Sequence, residues 1–506
     1  MRSGGGTALL FLWMTGGLSA VLPASQNPGI PVFRDVTAQS GIRFRHVNGP
    51  ADRKDYIFEA KGGGVGFFDY DNDGWLDIYL VQGSTVEKAG KPDSGLSDAL
   101  YRNRGDGTFE DMTRRAGILP GDWGMGVSFA DVDNDGWVDI YRTNLGRDRF
   151  YRNRGDGTFE DLTSRSGLEV PGWSTSAAFG DYDGDGDLDL YVARYLDYGP
   201  DKLPPKTPDC TYLGVAVLCG PRGLSGADDF LFRNNGDLTF TDVTTASGAR
   251  DTGRFFGLSV LWADLDNDHD LDICVGNDAT PNYLFVNRGD GTFEEMGFLS
   301  GIAVSGDGNE QASMGMDAAD YDNDGLLDLY MAHFAGDYST LYHNEGDLFF
   351  RDVTEPAGLK RGDWFLVAWG TRFLDVNCDG WKDIYHSSGH VYPYLLDDSK
   401  PEKYAQPNAL YLNLKNGTFE DVSKKAGADF LKETVSRGVA FGDYDNDGDF
   451  DLLIANMNGS PQLLRNDRTD SNHWLMVKLI GRKGNRDAIG ARVTVSTAGL
   501  TQTWEI

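Results

Sequence analysis

Cysteine is scarce: four among 506 residues, none before Cys210 and no CxxC pair. That excludes a lipidated N-terminal cysteine and argues against a zinc site. Past the N-terminal 22 residues no apolar run reaches 18, so no transmembrane segment is expected in the mature chain. Basic residues are outnumbered 46 to 78, for a net charge of −32, which argues against nucleic-acid or anionic-membrane partners. Nucleophile elbow, HExxH, phosphate loop and dinucleotide fingerprint are all missing. Disorder is excluded by what is present, since 40% hydrophobic residues with 12% aromatics supply ample surface to bury.

Much of the acid is concentrated in one phrase written seven times. Its copies are Asp69–Asp77 (DYDNDGWLD), Asp131–Asp139, Asp181–Asp189, Asp264–Asp272, Asp320–Asp328, Asp375–Asp383 and Asp443–Asp451, holding 30 of the 78 acidic residues. Carboxylates at loop positions 1, 3, 5 and 9 with glycine at 6 make a cradle for a hard cation. Odd-numbered side chains turn inward, position 7 adds a carbonyl oxygen, and glycine permits the left-handed bend. The expected ligands are therefore Asp69, Asp71, Asp73 and Asp77; Asp131, Asp133, Asp135 and Asp139; Asp181, Asp183, Asp185 and Asp189. They continue with Asp264, Asp266, Asp268 and Asp272; Asp320, Asp322, Asp324 and Asp328; Asp375, Asn377, Asp379 and Asp383; and Asp443, Asp445, Asp447 and Asp451. An all-oxygen set with irregular geometry selects Ca²⁺ over Mg²⁺, zinc or copper, with up to seven ions. Leu80 stands where an EF-hand carries its bidentate Glu, so these are hairpin loops. Asn377 removes one charge from the sixth loop and His269 replaces the bending glycine of the fourth, so those two are expected to bind most weakly. Cys378, at position 4 of the sixth loop, points away from the ion.

Between the loops runs a second phrase, LYRNRGDGTFEDMT from Leu100 and its variants, which reads as a strand, a glycine turn and a strand. A glycine-rich apolar strand such as GVGFF precedes each acidic loop. Four short strands per unit, in units whose acidic loops start 50 to 83 residues apart, predict an all-β seven-bladed β-propeller over residues 32–466. The seventh unit lacks its last strand and Phe33–Thr37 supplies one, so the ring is expected to close by pairing the two ends of the chain.

Ahead of the propeller, Arg2 and the apolar stretch Ala8–Leu22 read as a signal peptide over residues 1–24, directing the chain to a secreted, periplasmic or cell-surface location. In an oxidising compartment Cys210 and Cys219 are expected to form a disulfide, with two buried thiols as the alternative. Cys274 lies in a strand and is expected in the core. Three of the four Arg-Gly-Asp triplets, beginning at Arg104, Arg154 and Arg288, fall in the same hairpin turn, where Gly-Asp-Gly is what turn geometry demands.

Repeats of this form resemble FG-GAP/VCBS repeats. Arg43–Gly49 (RFRHVNG), Cys219–Leu224 (CGPRGL) and Gly389–Pro393 (GHVYP) resemble segments of the cartilage acidic protein family. Asn472–Gly499 resembles the start of that family's ASPIC/UnbV domain, so residues 467–506 are expected to form a small C-terminal β domain, incomplete because the pattern stops at Ile506. No cysteine run matches the epidermal-growth-factor-like module of animal members, which points to a bacterial exported relative.

Two functional readings stay open. In the first, calcium is structural and the propeller binds an extracellular protein or glycan. In the second, it is an enzyme, a lyase or cyclase, with a polar and aromatic pocket at the centre of one face. A purely structural scaffold is a third reading and predicts no concave pocket. The candidate pocket residues are His46, Glu59, Arg222, Asp278, His390 and Trp364; convergence of the two histidines with Glu59 and Arg222 is what the enzyme requires. Trp123, Trp173, Phe255, Phe256, Trp364 and Trp369 precede the glycine-rich strands and either ring that depression or pack between blades.

Overall fold

The computed structural model describes residues 29–91, 93–204, 210–395, 402–468, 472–497 and 499–506. The expected signal peptide lies outside them. Seven four-stranded antiparallel sheets form a seven-bladed β-propeller. Blade 1 contains Val65–Phe68, Asp77–Leu80, Ala99–Asn103 and Phe109–Asp111, hydrogen-bonded in that order. Blades 2 to 6 begin with Gly124–Ala130, Ser174–Gly180, Gly257–Ala263, Gly315–Ala319 and Ala368–Leu374 and repeat the same order. In blade 7, Ser436–Gly442, Asp451–Asn456 and Gln462–Asn466 are completed by the N-terminal strand Phe33–Asp35, with Phe33 opposite Asn466 and Asp35 opposite Leu464. Closure by the two chain ends leaves no blade with a missing outer strand.

Each blade is thin and two-sided, so its alternating side chains must be buried against both neighbours. Between blades 1 and 2, for example, Phe68, Tyr79, Leu100, Ile140, Tyr151 and Phe159 form one cluster. Cys274 belongs to such a cluster, and burial pushes its thiol pKa up. After the outer strand the F-x-D-V-T phrase adds a turn of helix that the strand pattern does not announce. Asp111 caps Thr113 at 3.0 Å, Thr113–Ala116 makes one turn, and Gly117 ends it at φ +80°.

The aromatic residues before the glycine-rich strands mostly pack against one another, and of the six only Trp369 also lines the axial cavity described below. Trp123, Trp173, Phe256 and Trp369 are buried with Phe58, Leu196 and Met314 in one cluster contributed by several blades, while Phe255 stacks on Tyr283 at 5.0 Å. Trp364 alone of the six is substantially exposed, at 39%. The blade 3 insertion bears the Cys210–Cys219 disulfide across the hairpin of Cys210–Tyr212 and Val215–Val217. It reaches blade 6, where the Tyr212 and Tyr392 rings lie 5.4 Å apart and the Tyr392 hydroxyl donates to the Leu218 carbonyl. Beyond the blades, Arg492–Thr497 and Leu500–Glu505 form a two-stranded sheet. No helix among the described residues is long and apolar enough to cross a membrane.

Candidate metal loops and the axial cavity

Each acidic phrase joins the first and second strands of its blade, and one backbone pattern recurs in all of them. The position-9 aspartate begins the second strand and is latched at both oxygens. Asp77 accepts the Asn103 amide at 2.7 Å and the Tyr70 amide at 3.0 Å; Asp139 accepts those of Asn153 and Val132, at 2.7 and 3.2 Å. Asp189, Asp272, Asp328, Asp383 and Asp451 do the same. The position-1 aspartate ties the bend, as where Asp69 accepts the amides of Asp73 and Gly74, both at 3.0 Å.

This folding crowds carboxylates. Oxygen atoms of Asp69, Asp71 and Asp77 lie within 4.8 Å of one another, as do those of Asp131, Asp133 and Asp135. Asp181, Asp183 and Asp189, and Asp264, Asp266 and Asp268, make equivalent groups. Burial first, and neighbouring carboxylates after it, raise the pKa of Asp181 to about 6. Burial pushes Asp131 up to about 7, Asp77 to about 8 and Asp189 to about 9. At the expected ligand positions, Oδ1 of Asp71, Asp131, Asp181 and Asp445 is buried without a hydrogen-bond partner among the described residues, and Asp449 Oδ1, at position 7 of the seventh loop, is in the same state. Hard, anionic oxygens left unsatisfied in this way fit a calcium ion and not a soft metal.

Cationic side chains also enter these loops, a feature the repeat phrase conceals. The arginine of L-Y-R-N sits at the loop mouth: Arg102 pairs with Asp71 and Asp73 at 2.5 and 2.9 Å, and Arg152 with Asp133 and Asp135 at 2.7 and 2.9 Å. Blade 5 has His343 there, its Nδ1 lying 3.1 Å from Asp328. Hydrogen bonding to Asp328 raises its pKa to about 9. Blades 4 and 6 carry Val286 and Leu412 at this place, so loops 4 and 6 lack that cation.

Position 4 serves the ring of loops. Asn72 donates to the Gly136 carbonyl of the next loop at 2.8 Å, Asn134 to Gly186 at 3.1 Å, Asn267 to Gly325 at 3.4 Å and Asn323 to Gly380 at 3.1 Å. Asn446 closes the circle on Gly74 at 3.2 Å. Asparagine suits the place because position 4 is left-handed, with φ of +56° at Asn72 and +57° at Asn446. Gly184 in loop 3 has no side-chain amide to offer, and in loop 6 the Cys378 thiol donates to the Gly448 carbonyl at 3.9 Å. His269 occupies the bend of loop 4 at φ +78°.

A second asparagine, the last residue of L-Y-R-N, staples blade to blade. The Asn153 amide donates to the Tyr70 carbonyl of blade 1 at 2.8 Å and to Val138 of its own blade at 3.2 Å. Asn103, Asn234, Asn287, Asn344 and Asn413 repeat this two-way bond.

The six candidate pocket residues are dispersed among other partners. His46 is buried with neither ring nitrogen bonded to a described residue. Buried Glu59 accepts the amides of Asp55 and Tyr56 at 2.6 and 3.0 Å. Arg222 is on the surface, paired with Glu310 at 2.9 Å. His390 Nε2 lies 3.7 Å from Glu402, while Nδ1 accepts the Tyr392 amide at 3.1 Å. Asp278 accepts from the Tyr195 hydroxyl at 2.6 Å and pairs with Lys61 at 3.1 Å.

Lys61 leads to the axis, where a cavity of about 260 Å³ is lined by residues of all seven blades, among them Gly64, Gly126, Ser259, Trp369 and Arg437. Arg437 is wholly buried, donates to the carbonyls of Ala60, Ser436, Gly389 and His390, and lies 4.1 Å over the Trp369 ring. Burial lowers its pKa to about 9. Blades 2, 5 and 6 carry Met125, Met314 and Trp369 at the corresponding place, immediately before the glycine, so a charge there was the available signal.

The FG-GAP-like repeat model matches residues 69–142, 131–192, 264–331, 320–386 and 395–483. Cartilage acidic protein 1 of Homo sapiens is 25% identical over 275 residues, covering 52% of this chain and 38% of that protein. Cartilage acidic protein 1 of Xenopus tropicalis is 28% identical over 219 residues, covering 39% and 32% respectively. The chain thus aligns with little more than a third of the human relative's length. A structure of an Agrocybe aegerita lectin recognising non-reducing terminal N-acetylglucosamine is 16% identical, covers 78% of this chain and 86% of its own, and superposes with a TM-score of only 0.40.

Proposed function

Because the chain belongs to the FG-GAP-like repeat family, we propose that it is an exported propeller whose acidic loops hold structural calcium and whose surface binds an extracellular protein or glycan. The observation that carries the calcium reading is the set of buried, unpartnered oxygens on Asp71, Asp131, Asp181 and Asp445 among crowded carboxylates. A bound dication supplies the positive charge that offsets their mutual repulsion. The protein's own part is to hold the loops ready: position 9 is fixed by its two amides and position 1 by the bend, while position 4, which is not a ligand, ties the loop to its neighbour. Export is supported by the N-terminal sequence and by the Cys210–Cys219 bridge. On this proposal residues 32–466 are the propeller and residues 467–506 the ASPIC/UnbV-like β segment.

The enzyme reading needs His46, Glu59, Arg222 and His390 in mutual reach, and the bonds of the last three run to other residues. A scaffold without any concavity is disfavoured by the axial cavity. Partner recognition is therefore the reading we adopt.

Extracellular calcium modules have Kd values of roughly 10⁻⁴–10⁻³ M. At millimolar calcium, linkage then contributes about 1 kcal/mol per loop. Calorimetry with and without chelator tests this, and a marked fall in melting temperature on chelation is expected. An unchanged melting temperature would remove calcium from its structural role.

A further inference from the structure

Residues 472–497 and 499–506 lie across the face that carries the acidic loops. Its residues cover position-6 glycines so closely that a Cβ at Gly448 would meet Trp474, one at Gly380 would meet Leu500, and one at Gly136 would meet Arg486. Two loops are gripped at the same atoms. In loop 2 the Asp131 amide donates to the Asp487 carboxylate at 2.6 Å, and the Arg486 amide donates to Asn134 Oδ1 at 2.7 Å. The Arg486 guanidinium lies 3.6 Å from Asp131 Oδ2. In loop 4 the Asp264 amide donates to Glu505 at 2.9 Å, Arg492 donates to Asn267 Oδ1, and its guanidinium lies 3.6 Å from Asp264 Oδ2. The position-1 amide, the position-1 Oδ2 and the position-4 side chain are thus each held from outside, by different parts of the tail.

We infer that Asp487 and Glu505, with Arg486 and Arg492, are positioning residues for cation uptake by loops 2 and 4, an inference that rests on the calcium reading above. A cation can settle only when the position-1 carboxylate is aimed inward and the position-4 bend is set, and the grips fix both. In loop 2 the tail takes Oδ2 and leaves the buried Oδ1 of Asp131 without a partner. Each grip adds one positive and one negative charge, so it leaves the loop's net charge unchanged and acts through geometry. Loop 4 has particular need of it, since His269 sits at φ +78° where glycine would bend freely. Coupling is reciprocal: ions in loops 2 and 4 tighten the tail by the factor by which the docked tail tightens those ions.

The test uses the full chain, titrating calcium into wild type and the charge-balanced Arg486→Ala/Asp487→Ala/Arg492→Ala/Glu505→Ala variant by calorimetry. Hydrogen exchange over residues 484–506 is followed with and without calcium. Two sites should weaken about tenfold, a mid-range coupling, while the rest keep their affinity and exchange of the tail rises on chelation. The Thr494→Ala/Thr501→Ala variant, altered at exposed tail positions, should bind as wild type does. Unchanged uptake by the fourfold variant, or tail exchange indifferent to calcium while wild type binds it, overturns the coupling and leaves the calcium reading standing. No calcium uptake by wild type overturns both.

Discussion

Replacing Asn153 by alanine isolates the staple between blades. Asn153 is fully buried, and its side chain makes three hydrogen bonds: to the Tyr70 carbonyl at 2.8 Å, to the Val138 carbonyl at 3.2 Å, and from the Gly155 amide at 3.0 Å. A buried intramolecular bond contributes about 1 kcal/mol net, and a buried group left unpaired costs about 1–3 kcal/mol. With three bonds lost and the carbonyl of buried Tyr70 losing a donor, the expected destabilisation is about 3–4 kcal/mol. Asn72→Ala is the comparison: it removes a single exposed bond to Gly136 and places alanine at φ +56°, for a cost of about 1–2 kcal/mol. Urea unfolding followed by tryptophan fluorescence, at saturating calcium, measures both. If Asn153→Ala proves no more damaging than Asn72→Ala, the interblade asparagine does not hold the propeller together and the reasoning fails.

Cys378→Asn exchanges a weak thiol donor, 3.9 Å from the Gly448 carbonyl, for an amide donor and should stabilise by about 0.5–1.5 kcal/mol; a loss of stability in the same urea assay would count against the ring of loop links. His269→Gly relieves a left-handed non-glycine residue and should stabilise by about 1–2 kcal/mol, with calorimetry as the check and an unchanged or lower melting temperature as the adverse result. His333 is buried, and burial lowers its pKa to about 3. A depressed folded-state pKa means stability is intact above the unfolded value of 6.5 and is lost as pH falls towards 3. At pH 5, wild type should therefore have lost about 2 kcal/mol relative to His333→Gln, by the usual conversion of pKa difference to free energy. Comparing slopes cancels the opposing contribution of the acidic loops, and parallel pH profiles for the two proteins contradict the prediction.

The parts of the molecule legible in the sequence are those that repeat. Seven acidic phrases and the hairpins between them announced the propeller, and Phe33–Thr37 announced its closure, because short strands and turns are written in local spacing. Features that appear once, or that depend on contacts between distant segments, were hidden. Arg437 reads as an ordinary residue before a glycine until the ring places it on the axis. Position 4 reads, at Cys378, as pointing away from the ion, and spacing does not announce its partner: for Asn72 that is the next loop, 64 residues on. The candidate pocket gathered residues by their irregular setting, and their bonds are local ones that spacing does not announce: Glu59 caps a local turn while Arg222 pairs with Glu310 at the surface. Where the tail docks could not be read from periodicity, since its partners lie hundreds of residues earlier.

Gly184 and Cys378 interrupt the chain of asparagine links at two places, between loops 3 and 4 and between loops 6 and 7. The asparagine loop links therefore form two arcs, one running from blade 7 through 1 and 2 to 3, the other from blade 4 to 6, and at the two seams the blades are held by Asn287 on Tyr182 and Asn466 on Val376. The C-terminal segment grips loop 2 on one arc and loop 4 on the other, and so acts as a suture across the nearer seam.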